Sequence, residues 1–201
     1  MTTKTNSTVI VIGATGSGKS TFCNVMAGKR ADSRLFPVGR VGQMSTTTTT
    51  SNKVNWMGND FEMNLIDTPG MQDSELEDFK HIQGMIVELK KHDKIDAFIL
   101  VINAADLMAQ QFDTNLIKNV IVAFKLSYGE EFLQNTIVEV NRWSYSAAAI
   151  AEREKSKLTE EDANKRINDA IKKGNWKIVR KYQLKNFRLD PHPQNWSWQH
   201  Q

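Results

Sequence analysis

Ser7 to Ile12 reads Ser-Thr-Val-Ile-Val-Ile and runs directly into Gly13-Ala-Thr-Gly-Ser-Gly-Lys-Ser20. This junction constrains the fold more than any other stretch. A short β-branched run that is apolar at consecutive positions suits a strand buried on both faces of a parallel sheet. Helix-compatible sequence follows the glycines from Thr21 to Ala27, and Gly28 is a fitting stop. Strand, glycine loop and helix in succession predict the first unit of an α/β fold.

The rest of the chain repeats that alternation. Val54 to Trp56 and Phe61 to Ile66 read as strands around a tight turn at Gly58-Asn59. Leu76, Phe79, Ile82, Met85, Ile86 and Leu89 recur at three- and four-residue spacing, which predicts an amphipathic helix over Ser74 to Lys91. Ala97 to Ile102 reads as a buried strand. Leu116, Ile117, Val120, Ile121 and Phe124 mark a helix, and Thr136 to Val140 the next strand. Ala163, Ile167, Ala170 and Ile171 mark a last helix, and Leu184 to Leu189 a final strand. The order predicts a three-layer α/β architecture, a mostly parallel sheet flanked by helices, with right-handed crossovers. One unit is expected over residues 7–190. An irregular tail is expected over 191–201, where Pro191, Pro193, Trp196 and Trp198 follow no helical pattern.

Composition narrows the functional classes. With 40% hydrophobic and 24% charged residues, the chain is neither disordered nor fibrous. It lacks the roughly 20 consecutive apolar residues that would cross a bilayer. The polar Met1 to Ser7 start carries no leader pattern, so a cytoplasmic setting is expected, with any membrane anchor left to a further C-terminal segment. Cys23 is the single cysteine, which excludes an internal disulfide or a cysteine-cluster metal site; it reads as small apolar filler. The net charge of +3 selects no partner. Glu152 to Arg188 holds 12 basic and 6 acidic residues, which the solvated face of a helix accounts for, and no nucleic-acid motif accompanies them.

Gly13 to Ser20 matches G-x-x-x-x-G-K-[ST] in full. Backbone N–H groups of such a loop approach phosphate oxygens without a Cβ in the way, and the following helix aims its positive end at them. The expected phosphate-binding set is Gly13, Ala14, Thr15, Gly16, Ser17, Gly18, Lys19, Ser20 and Thr21. Lys19 would bridge the β- and γ-phosphates, and the Ser20 hydroxyl would ligate Mg²⁺. Asp67-Thr-Pro-Gly70 ends a strand, where α/β sheets bind ligands. Asp67 is expected to hold Mg²⁺, through a water, and the Gly70 N–H to sense a γ-phosphate. Asp67, Thr68, Pro69 and Gly70 thus form a candidate switch.

Those two motifs and their separation, with Asp-Thr-Pro-Gly in place of Asp-x-Ala-Gly, resemble the septin-like branch of the P-loop GTPases. Within it the chain is similar to the immunity-associated GTPases (GIMAPs) and the chloroplast outer-envelope import receptors, over residues 7–145. The resemblance implies a G domain that takes GTP or GDP with Mg²⁺ and hydrolyses GTP. It implies a Mg²⁺-binding threonine between the motifs, at Thr46, Thr47 or Thr48; five adjacent threonines leave the choice open, and edge strand accounts for the others. It also implies switches over Ser45–Thr50 and Asp67–Asp73, and a homodimer across the nucleotide face with an arginine supplied in trans.

Three departures accompany the resemblance. The base-reading motif Asn-Lys-x-Asp is matched by Asn141-Arg142-Trp143-Ser144 after the fifth strand. Ser144 cannot reproduce the two hydrogen bonds an aspartate takes from guanine, which weakens guanine preference by about 1–3 kcal/mol. Trp143 would offset part of that by stacking, or is a core or rim aromatic. Met71 stands where Ras-like enzymes orient the attacking water with glutamine, and Gln72 is out of register by one. No catalytic side chain is therefore assigned. Asp106 to Gln111 lacks an arginine, and Arg30, Arg34 and Arg40 read mainly as surface charges. The expectation is a slow GTPase switch; its rivals are a catalytically weak nucleotide-gated scaffold and an ATP-using P-loop NTPase.

Overall fold

A computed structural model describes residues 7–39, 48–71, 75–105, 122, 124–129, 132, 135–141, 146–156, 159, 161–162, 165–166 and 168–169. For 75–81 and 149 it describes the backbone only. The expected strand at 184–189, the tail, the apolar markers Ala163, Ile167, Ala170 and Ile171, and Leu116 to Ile121 lie outside the described residues.

Five strands form one sheet in the order β2-β3-β1-β4-β5. They are β1 (Ser7–Gly13), β2 (Thr50–Asn55), β3 (Glu62–Asp67), β4 (Ala97–Asn103) and β5 (Thr136–Asn141). β1 lies between β3 and β4, and these pairs and β4–β5 run parallel, while β2 pairs antiparallel with β3. The architecture is the mostly parallel α/β sheet that the alternation predicts. Both faces of β1 are covered, which is why its run is apolar throughout.

Helix α1 (Lys19–Met26) covers one face, packing Phe22, Cys23 and Met26 with Val9, Val11, Leu65 and Val101. Helix α2 (Glu75–Leu89) covers the other, where Ile82, Met85 and Leu89 meet Ile10, Ile12 and Leu100. That face continues into an aromatic cluster. Phe98 meets Phe132 edge-on at 4.7 Å and Phe124 at 5.7 Å, and Phe124 stacks on Phe132 at 5.5 Å. Such pairs add about 0.5–1.5 kcal/mol each beyond their buried area. Among the described residues, no helix is long and apolar enough to cross a membrane.

Three elements differ from the sequence reading. β2 begins at Thr50 rather than Val54 and stops at Asn55, because a polar edge strand carries little apolar signal. Trp56–Gly58 forms a 3₁₀ turn, with Trp56 N–H donating to Phe61 O at 2.8 Å, in place of a tight turn at Gly58-Asn59. A further helix α3 (Ala147–Lys155) follows β5, unread because its Ala-rich sequence has good propensity but no apolar stripe.

Candidate functional site

The β1–α1 loop lies at the C-terminal edge of the parallel strands, where β3 delivers Asp67 and β5 delivers Asn141. Parallel register produces this convergence. Val11 pairs with Asp67 and Asn103 with Asn141, so three strand ends meet at one rim.

Lys19 is buried and folds back over the loop, donating from Nζ to Gly13 O at 3.1 Å and Ala14 O at 2.9 Å. Burial lowers its pKa to about 8 against the pull of the nearby Asp67 carboxylate. An ammonium held this way is desolvated, so an anion placed on its remaining N–H gains strongly. α1 carries no acidic residue in its first turn, so none there opposes an anion at its positive end.

Ser20 Oγ donates to Asp67 Oδ2 at 2.6 Å. Asp67 is fully buried, its pKa raised by that burial against the Ser20 bond and the Lys19 charge. Its second oxygen, Oδ1, is buried without a hydrogen-bond partner among the described residues. A hydroxyl and a carboxylate in contact, one oxygen unsatisfied, form the hard-oxygen donor set that Mg²⁺ takes together with phosphate and water ligands. The residues present fit that ion. Thr68 is also buried, and its hydroxyl donates to Val11 O at 2.8 Å, pinning the Asp67 turn to β1.

The loop is clamped on both sides. Thr15 N–H donates to Met71 O at 2.8 Å and Met71 N–H to Gly13 O at 3.4 Å, a parallel bridge between Ala14 and Met71. Gly70 is pressed so close that a Cβ there would lie 2.6 Å from Thr15 Cα. On the other side Asn141 Nδ2 donates to Ser17 O at 3.1 Å and Gly18 O at 3.3 Å. Gly18 adopts φ 92°, and a Cβ there would collide with that same amide.

A profile described as "50S ribosome-binding GTPase" matches residues 8–126, more than half of the chain and all of the loop and Asp67 geometry. The chain belongs to this GTPase family. No curated protein sequence matches it significantly. Among solved structures the GTPase resembles a dimerisation-deficient mutant of Toc33 from Arabidopsis thaliana, at 24% identity and TM-score 0.56, over 83% of this chain and 64% of that one. It also resembles Aquifex aeolicus Era bound to GDP·AlF4⁻, at 17% identity and TM-score 0.51, over 83% of this chain and 46% of that one. The chain thus spans less than two thirds of these relatives, and at such identities the likeness establishes the fold.

In this GTPase the structure brings together Gly13 to Thr21, Asp67 to Gly70 and Asn141. Asn141 meets the loop through its side chain, a contact the base-reading pattern did not suggest. Thr48 is exposed, as are Arg34 and Arg30, the last paired with Asp32 at 3.2 Å. Thr46, Thr47, Arg40, Gln72, Asp73, Asp106 to Gln111, and Arg142, Trp143 and Ser144 lie outside the described residues.

Two contributors were missed from sequence. Met71 was weighed only as a failed water-orienting residue, yet its side chain is 1% exposed in the α2-side core and its backbone clamps the loop. Asn24 is fully buried on α1; it donates to Ser33 O at 2.9 Å and Phe36 O at 2.8 Å and accepts from Phe36 N–H at 3.0 Å. It thereby staples the loop after α1. The signal was available, since an asparagine on the buried face of an apolar helix needs polar partners.

Proposed function

We propose that this GTPase is a nucleotide-controlled switch that binds GTP or GDP with Mg²⁺ and hydrolyses GTP slowly. The observation that carries the reading is the Ser20–Asp67 contact beside the buried Lys19 ammonium, with Asp67 Oδ1 left without a partner among the described residues. Loop amides and Lys19 would hold the phosphates, and Ser20 and Asp67 the ion. When bound, Mg²⁺ supplies charge neutralisation on the β- and γ-phosphoryl oxygens. Thr46, Thr47 or Thr48 would complete its ligands, and Asp67 to Gly70 would register the γ-phosphate. Asn141, with Arg142, Trp143 and Ser144, would face the base. Septin-like and GIMAP-like character and a cytoplasmic setting rest on the sequence resemblance. So does self-association across the nucleotide face.

Slow turnover follows from Met71, whose side chain lies in the core and offers nothing to a water. The test is GTP turnover measured by chromatography, with Lys19→Ala as control. The variant should lose nucleotide affinity by at least about a hundredfold, roughly 3 kcal/mol, and undiminished turnover would defeat the site assignment. The same burial of Met71 favours a second reading, a nucleotide-gated scaffold without catalysis. A scaffold stays inert at every protein concentration, whereas a self-associating GTPase accelerates as concentration rises. GTP-against-ATP competition measures the base preference left open by Ser144, and a GTP preference below about tenfold would favour an ATP-using enzyme.

A further inference from the structure

Thr15 occupies the crowded point where the phosphate loop meets the end of the Asp67 turn. Its N–H is committed to Met71 O at 2.8 Å. A Gly70 Cβ would lie 2.9 Å from Thr15 N and would collide with Oγ1, so the hydroxyl lies directly against Gly70. That hydroxyl is buried and has no hydrogen-bond partner among the described residues. Leaving such a group unsatisfied costs about 1–3 kcal/mol, and glycine or alanine would avoid the cost. Ser17 Oγ is also unpartnered among the described residues, but it turns inward, 3.1 Å from where a Gly13 Cβ would stand, on a residue with no exposure. Thr15 is partly exposed and borders Gly16, the exposed tip of the loop.

The neighbours fix which end of a triphosphate this hydroxyl faces. Lys19 Nζ rests on the carbonyl of Ala14, the residue before Thr15, and Gly70 closes the turn that begins with the ion-binding Asp67. On the GTPase reading, both belong to the γ-phosphate end. The side chain of Met71, next in sequence, is withdrawn into the core. Thr15 thus carries an unengaged hydrogen-bonding side chain beside the end of the Asp67 turn.

We infer that the Thr15 hydroxyl orients the attacking water in GTP hydrolysis; this rests on the GTPase reading above. The water oxygen bonds to the γ-phosphorus as the bond to the β–γ bridging oxygen breaks. GDP leaves with that electron pair, and the water proton is taken by the phosphate released. Thr15 Oγ1 accepts a hydrogen bond from the water and donates its own O–H to a phosphoryl oxygen, with no proton transferred to or from it. An alcohol is too weak a base to take the proton, so its contribution is alignment.

Thr15→Val keeps the shape and removes the hydroxyl. Single-turnover GTP hydrolysis should fall at least about tenfold while affinity for a fluorescent GDP analogue stays within about twofold. Trapping of GDP by aluminium fluoride, which reports the in-line arrangement without turnover, should weaken in parallel. Thr15→Ser should restore both. Hydrolysis by Thr15→Val at the parent rate would overturn the inference and leave the GTPase reading standing. So would faster hydrolysis by Thr15→Gly, which would mean that the side chain obstructs the site. A parent protein that binds GTP without ever hydrolysing it would overturn both.

Discussion

The two arms of the phosphate loop are held by opposite means. The Gly13–Thr15 arm is fixed backbone to backbone, by the Ala14–Met71 bridge and the pressure of Gly70. The Ser17–Gly18 arm is tied to β5 by a side chain, the Asn141 amide. A backbone clamp is indifferent to most side chains but intolerant of any atom that spreads the two strands of chain. A side-chain clamp tolerates small backbone shifts but not a change of residue. The first arm ties the loop to the turn carrying Asp67, and the second ties it to the end of β5. A ligand that moves the Asp67 turn therefore reaches the loop through the first arm.

The sharpest way to break this contrast is Gly70→Ala. The added methyl would meet Thr15 backbone atoms at 2.6 and 2.9 Å, which no rotamer change relieves. A loss of about 3 kcal/mol is expected in urea denaturation at constant slope. A loss below about 0.5 kcal/mol would mean that the arms are not clamped as described.

Asn141→Ala tests the other arm. It leaves Ser17 O and Gly18 O without this donor, at a cost of about 2 kcal/mol read as weaker GDP binding and a lower denaturation midpoint. Met71→Leu, by contrast, keeps the backbone bridge and most of the core volume, so it should cost under about 1.5 kcal/mol. Equal effects at 71 and 141 would erase the distinction.

Lys19 couples the first arm to pH. Its pKa in the free protein is about 8, and bound phosphate would raise it. Below that value the ammonium is already protonated, and binding takes up no proton from it. Above it, binding must recruit one. GDP affinity should therefore be flat near pH 7 and fall by up to about tenfold per pH unit above 8. Calorimetry in buffers of different ionisation enthalpy should register the uptake.

What the sequence disclosed, and what it withheld, divides along the same line. The loop, Lys19, Ser20 and Asp67 were legible because contiguous residue types at fixed spacing carry their chemistry. The bridge through Met71 was not, since a backbone contact leaves no mark on residue type and the side chain invited a different question. Asn141 was legible as a residue, but its neighbours in sequence suggested the base and gave no sign of the loop contact that parallel register between β4 and β5 produces. In the fold, β1, β3, β4 and α2 announced themselves by apolar period. β2 and α3 did not, one being a polar edge strand and the other an alanine-rich helix.

The smallest effect lies two residues before the Asn141 anchor. Glu139 pairs in register with Val101 of the α1-side core, which puts Glu139 and Asn141 on one face of β5. Burial raises its carboxyl from 4.5 to about 7. A raised carboxyl pKa means that the folded state binds its proton more tightly than the unfolded chain does. Stability from this group is therefore complete below about pH 4.5 and lost as pH climbs through 7. Glu139→Gln removes the titration, so it should stabilise the protein by about 1 kcal/mol at pH 8 and by nothing at pH 4, less than the full shift would give because the position is only partly buried. A variant whose gain is the same at both pH values would show that the carboxyl is solvated, and that the Asn141 arm is held on β5 without a buried charge beneath it.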